Sequence, residues 1–121
     1  MNRQEFLLAL NNVIPSTNIV LKIKQIYECT VPSEVEKVIS FNTAGAFLEG
    51  KTFCRLLCFN EISKASEELH VNFKQHGLIP FFDIEDNNFI VFNFKSLHWE
   101  KFNIVDEVSY EEKKNLKDIL C

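Results

Sequence analysis

Apolar residues in the first forty positions recur every three or four residues, a spacing that lines one face of an α-helix. The pattern predicts helices over 2–11 and 17–29, and a third that begins at Pro32 and ends near residues 42–45. Ser16 is a suitable N-cap for the second helix. Proline suits the first position of the third helix because an N–H there has no intrahelical partner.

The middle of the chain predicts a strand followed by a helix. Residues 53–59 read Phe-Cys-Arg-Leu-Leu-Cys-Phe, which is typical of a strand buried on both sides. Asn60 or Ser63 then caps a helix that runs through about Gln75. Gly77 follows at the position of a C-cap glycine.

The second half predicts a sheet and a closing helix. Two apolar strands, 78–83 and 88–94, flank a polar turn, and a further strand lies within 97–105. Ser109 and Glu112 have the spacing of a capping box, which predicts a final helix with Leu116, Ile119 and Leu120 inward. We find no internal repeat. The order predicts an α+β fold in one domain, a mainly antiparallel sheet wrapped by several helices, with residues 1–15 as an N-terminal helix or extension.

Composition narrows the possible partners. The 121 residues suit one domain, and 13 basic against 17 acidic residues give a net charge of −4. Only Arg3 and Arg55 are arginines, which disfavours nucleic-acid binding. The net negative charge suits a basic protein partner, and mild acidity is equally common among soluble domains. No apolar run has membrane-spanning or signal-peptide length, so we expect a cytoplasmic protein without a membrane partner. The oligomeric state stays open.

The turn after residue 82 carries the candidate binding residues. Asp83, Glu85 and Asp86 place three carboxylates beside Asn87, and the turn itself does not require three negative charges. A solvated turn is the simplest interpretation. A surface that meets a basic partner is the functional one, with Glu61 as a further member.

Catalytic and metal chemistry find little support in the sequence. Cys54 and Cys58 share one face of the predicted strand, but no second cysteine pair or nearby histidine completes a metal site. We interpret both as buried free thiols, as is usual in a reducing compartment. No nucleophile elbow, phosphate-binding glycine loop or zinc-protease motif is present. We therefore predict no cofactor, no metal and no catalytic residue.

The order of these motifs resembles the SUKH superfamily over about residues 16–120. The resemblance is carried by Val31-Pro32 before a helix, by the step Arg55-Leu56-Leu57-Cys58-Phe59-Asn60-Glu61-Ile62, and by Leu78-Ile79-Pro80-Phe81 before the acidic turn. Members often have a glycine in that turn, where this chain has Asn87-Asn88.

The resemblance implies a sheet wrapped by helices and a binding role without catalysis. In bacteria such domains resemble immunity proteins that bind and block a cognate toxin, often a nuclease. Because a nuclease holds anionic nucleic acid on a basic face, an acidic inhibitor could cover that face. The alternatives are a regulatory or scaffold domain that binds an endogenous protein, and a small hydrolase that uses cysteine or carboxylate groups.

Overall fold

Three helices open the chain. The computed structural model describes residues 1–41 and 46–120, and its first elements are α1 (Arg3–Leu10), α2 (Thr17–Tyr27) and α3 (Ser33–Ser40). All three agree with the predicted helices, although the predicted end of the third falls outside the described residues. Pro32 is the N-cap of α3 rather than its first helical residue.

The N-terminal helix is an integral part of the core. Phe6 of α1 is fully buried and packs edge-on against Phe82, with ring centroids 5.8 Å apart. The Arg3 guanidinium donates to the carbonyl oxygen of Leu120 and to the carbonyl and hydroxyl of Thr52. Arg3 therefore connects α1 to two residues that are distant from it in the sequence.

The middle of the chain is broken into short elements. β1 (Arg55–Leu56) is followed by α4 (Phe59–Ser63), α5 (Ala65–Leu69) and α6 (Phe73–His76). The predicted strand over 53–59 is wrong beyond β1, because Cys58 already serves as the N-cap of α4. The predicted continuous helix to Gln75 is also wrong. His70 adopts a left-handed conformation with φ 56°, which ends α5, and the next residue, Val71, is buried in the core.

Four equal strands form a regular meander. They are β2 (Leu78–Asp83), β3 (Asn88–Asn93), β4 (His98–Asn103) and β5 (Val108–Lys113). Each strand has six residues and starts ten residues after the previous one. All neighbours pair antiparallel in the sheet order β1-β2-β3-β4-β5. The last helix is α7 (Leu116–Leu120).

A repeated turn produces this spacing. Asn93 and Asn103 each end a strand, and each side-chain oxygen accepts two backbone N–H groups of the following turn, at 2.9–3.0 Å and 3.0 Å respectively. Asp83 occupies the equivalent place, and its carboxylate accepts the N–H of Glu85 at 2.9 Å. A phenylalanine precedes each of the three residues. The sequence therefore contains a short repeat, Phe-Asx-apolar every ten residues, and the expectation of no internal repeat is wrong.

The final predicted helix begins too early. Val108–Lys113 is β5, and the Ser109 hydroxyl donates to the Glu100 carboxylate at 2.6 Å instead of capping a helix. Pairing with β4 competes with the helical alternative, and only Leu116–Leu120 becomes helical. The three predicted inward residues of this helix are nevertheless all buried.

Helices cover both faces of the sheet. Trp99 and Phe102 lie three positions apart on β4 and therefore point to opposite faces. The Trp99 indole N–H donates to Glu34 of α3 at 2.9 Å, whereas Phe102 packs against Phe73 of α6 with centroids 5.9 Å apart. The α+β fold predicted from the sequence is thus confirmed. None of the helices in the described residues is long and apolar enough to span a lipid bilayer.

Candidate functional site

The acidic turn between β2 and β3 has an unusual backbone. Glu85, Asp86 and Asn87 all have positive φ, at 79°, 55° and 65°. Asparagine adopts this region more readily than most residues, whereas it is uncommon for glutamate. Because all three side chains are exposed, the turn presents two carboxylates to solvent.

Arg55 neutralises the remaining two predicted carboxylates. Its guanidinium binds both oxygens of Glu61 at 2.8 Å each and lies 3.9 Å from an Asp83 oxygen. The hydrogen bond from Arg55, and another from the Cys58 backbone N–H at 3.0 Å, lower the pKa of Glu61 to about 2. Glu61 is therefore ionised and already paired. Its carboxylate joins Arg55 of β1 to the start of α4 and so holds these two elements in position.

The predicted site thus divides into two groups. Glu61 and Asp83 meet at Arg55, while Glu85, Asp86 and Asn87 form the exposed turn. A small cleft of about 100 Å³ lies beside Arg55 and is lined in part by Leu57 and Phe89. That volume is below the several hundred Å³ typical of a small-molecule site.

A second acidic turn lies directly beside the first. The Ile104 N–H donates to the Asn87 carbonyl at 2.9 Å, and the Asn103 amide donates to Asn88 at 3.0 Å. This contact places the β4–β5 turn, which carries the exposed Asp106 and Glu107, at the same end of the sheet as the turn that carries Glu85 and Asp86. We call these four carboxylates the acidic edge.

The sequence interpretation missed Asp106 and Glu107. Their signal was the Phe-Asx-apolar repeat, because alternate turns of an antiparallel meander lie at the same end of the sheet. Within the acidic edge, Glu107 also contacts the imidazole of His76 at 3.0 Å. His76 in turn lies against Phe102, with centroids 5.5 Å apart, so α6 supports this end of the sheet.

The thiols have structural positions. Cys54 is 2% exposed, and burial raises the pKa of its thiol to about 11, which disfavours the thiolate. Cys58 is half-buried at the start of α4. No hydrogen bond within residues 1–41 and 46–120 joins either thiol to a histidine. In the same residues no group of three or more histidine, cysteine or carboxylate side chains is arranged to hold a metal ion.

Trp99 is a core residue. It is fully buried and lies between Phe81 and Phe92, with ring centroids 5.6 Å and 5.2 Å away. Its single polar atom is satisfied by Glu34. Trp99 is therefore not available to contact a partner from the surface of this fold.

Comparisons with known proteins give no relative. No family model matches the chain, and neither the search of characterised proteins nor the search of solved structures finds a significant match. The resemblance to the SUKH superfamily therefore stays a prediction from motif order.

Proposed function

We propose that this domain binds a basic protein partner through the acidic edge and performs no catalysis itself. The observation that carries the proposal is the alignment of the β2–β3 and β4–β5 turns, which places four carboxylates at one end of the sheet. Three of them, Glu85, Asp86 and Asp106, form no ion pair within the described residues.

The anchoring of the two turns supports a preorganised surface. Side-chain oxygens of Asp83 and Asn103 hold the turn backbones at 2.9 and 3.0 Å, and a backbone hydrogen bond joins one turn to the other. A charged surface that is ordered before binding loses less conformational entropy on association. Carboxylates on such a surface accelerate encounter with a basic face and make affinity sensitive to salt.

The resemblance to SUKH domains suggests which kind of binding protein this chain is. The chain acts as a cytoplasmic immunity protein that covers the basic active face of a cognate bacterial toxin, such as a nuclease. Negative charges at the acidic edge take the place of substrate phosphates on that face. The alternative regulatory role would use the same edge on an endogenous basic protein.

Co-expression with the toxin domain encoded by a neighbouring reading frame tests the proposal. The informative variant is Glu85→Lys/Asp86→Lys/Asp106→Lys, because these side chains have no internal ion pair. Asp83 is left intact since it holds the turn. We expect growth rescue by the original chain, and association at low salt at least about tenfold slower for the variant.

A matched control variant separates the effect of charge at the acidic edge on binding from the effect of the net charge. Glu67→Lys/Glu68→Lys/Asp118→Lys changes the net charge equally at exposed positions of α5 and α7. The control should bind as the original chain does. Equal loss in both variants would assign the effect to net charge, and full affinity of the acidic-edge variant would place the binding surface elsewhere. If the chain rescues growth from no neighbouring toxin but binds an endogenous basic protein, the regulatory role would be favoured.

A further inference from the structure

Arg3 has one hydrogen-bond donor that the fold leaves unused. Its terminal nitrogens donate to the carbonyl oxygen of Leu120 and to the carbonyl and hydroxyl oxygens of Thr52, the last two at 3.0 and 2.7 Å. Its Nε atom is buried and has no acceptor, which is true of no other side-chain nitrogen or oxygen in residues 1–41 and 46–120. A buried donor without a partner is costly, so an acceptor that reaches this nitrogen would be favoured.

The unused donor belongs to a pocket of about 150 Å³ with two basic side chains in its wall. We call it the Arg3 pocket, and its polar lining residues are Arg3, Thr52 and Lys101. Among the described residues, no acidic side chain lines it. Lys101 forms an ion pair with Glu111 at 3.4 Å, and the two side chains are 25% and 37% exposed. Because ion pairs of this kind are weak, the ammonium group can still bind a further anion.

The free Nε–H is not covered by the neighbouring backbone. A Cβ at Gly50 would lie 3.4, 3.6 and 3.8 Å from Nε, Cζ and Nη2 of Arg3. Three similar distances place Gly50 over the flat face of the guanidinium, whereas its N–H bonds point outward in the plane. Nε and Nη2 donate from the same edge of the group, and Nη2 donates to Thr52. The free Nε–H therefore lies on the side of the guanidinium that faces Thr52.

The rest of the pocket is apolar. Ile90 of β3 lies directly opposite Lys101 of β4, and Ile84, Ile119 and Leu120 complete the wall. Phosphate would leave several charged oxygens against these side chains without donors, which is unfavourable. A carboxylate with an aliphatic chain would place its oxygens at the basic end and its carbon atoms against the apolar wall. The volume equals that of about five water molecules, so the chain must be short.

We propose that the Arg3 pocket binds a small aliphatic carboxylate. The oxygens accept hydrogen bonds from the Arg3 Nε, the Thr52 hydroxyl and the Lys101 ammonium group, and bonds between charged groups are the stronger class. A ligand of this size makes few contacts, so we expect a dissociation constant of about 1 mM. This inference goes beyond the proposed function and does not depend on it, because the acidic edge consists of other residues.

Titration with isovalerate, followed by the NMR signals of the arginine Nε–H groups, tests the proposal. The chain has only two arginines, and Arg55, which is already bound to Glu61, is an internal control. Arg55→Lys assigns the two signals. We expect a saturable shift of the Arg3 signal and an unmoved Arg55 signal. Acetate has a shorter apolar part and should bind about tenfold more weakly or worse, and isovaleramide, which has no charge, should give no saturable shift.

A pair of lysine variants tests the basic end of the pocket. Lys101→Met keeps the aliphatic stem and should weaken isovalerate binding by about tenfold. Lys22→Met makes the same charge change at an exposed position of α2 and should bind as the original chain does.

Several results would overturn the proposal. One is an Arg3 signal that does not move at about 50 mM isovalerate. Others are acetate, isovaleramide or phosphate binding as tightly as isovalerate, or equal affinity of the Lys101→Met variant and the original chain. Toxin binding plays no part in these measurements, so the proposed function can fail separately.

Discussion

Replacement of Glu61 by glutamine is expected to destabilise the fold in a pH-dependent way. The carboxylate holds Arg55 by two hydrogen bonds of 2.8 Å and accepts the Cys58 N–H at the start of α4. These contacts lower its pKa from 4.5 to about 2. Glutamine keeps one acceptor oxygen but loses the charge and the paired geometry.

The magnitude follows from the pKa change and the exposure of the side chain. A decrease of this size corresponds to roughly 3 kcal/mol if all of it is expressed as stability. Glu61 is 33% exposed, and solvent screening reduces the contribution. We therefore expect Glu61→Gln to lower the free energy of unfolding by about 1–2 kcal/mol at neutral pH.

The direction of the pKa change determines how the stabilisation by Glu61 varies with pH. Because the pKa of Glu61 is lower in the folded state, its stabilisation is complete above about pH 4.5 and disappears as the pH falls towards 2. Urea unfolding of both proteins from pH 7 to pH 2 should therefore give curves that converge at low pH. Glu85→Gln is the control, because that side chain is exposed in the acidic turn. A difference that is constant with pH, or equal in the control, would refute the role of the Arg55 pair.

Three further sets of substitutions test other parts of the fold by urea unfolding. Gly77→Ala should cost about 1–2 kcal/mol, because φ is 76° and a Cβ would lie 2.7 Å from Lys95 Cδ; an unchanged midpoint would contradict the strain. Trp99→Phe should cost about 2 kcal/mol or more through lost volume in the core, and Glu34→Gln, an exposed side chain that keeps an acceptor for the indole N–H, should cost much less. Asn93→Ala and Asn103→Ala should each cost about 1 kcal/mol, since both cap equivalent turns, and strongly unequal losses would argue against the repeat.

The local pattern of side chains predicted those elements whose conformation depends mainly on residues close in the sequence. The apolar spacing before residue 41 predicted α1, α2 and α3, because an amphipathic helix is encoded within a few turns. The left-handed C-cap at Gly77 and the strand pair around the acidic turn also follow from local chemistry. The break of the middle helix at His70 did not follow, because burial of Val71 in the core competes with helical propensity.

The candidate site was predicted only in part, for a similar reason. Sequence placed carboxylates at one turn, but the ionic partner of Glu61 and Asp83 depends on how β1 joins β2. The addition of Asp106 and Glu107 depends on strand order, which aligns turns twenty residues apart in the chain. Pairing with β4 also turned Val108–Lys113 into an edge strand where a capping box had predicted a helix.

By itself, the sequence determined the helical first third, the α+β class and the presence of an acidic turn. Those features depend on contacts between residues near in the chain, whose spacing can be read directly. Tertiary structure alone decided which carboxylates are neutralised, which lie together at one end of the sheet and which strands form the edges of the sheet within the described residues. Each of these depends on contacts between distant residues, and their energies are set by the packed arrangement of strands and helices.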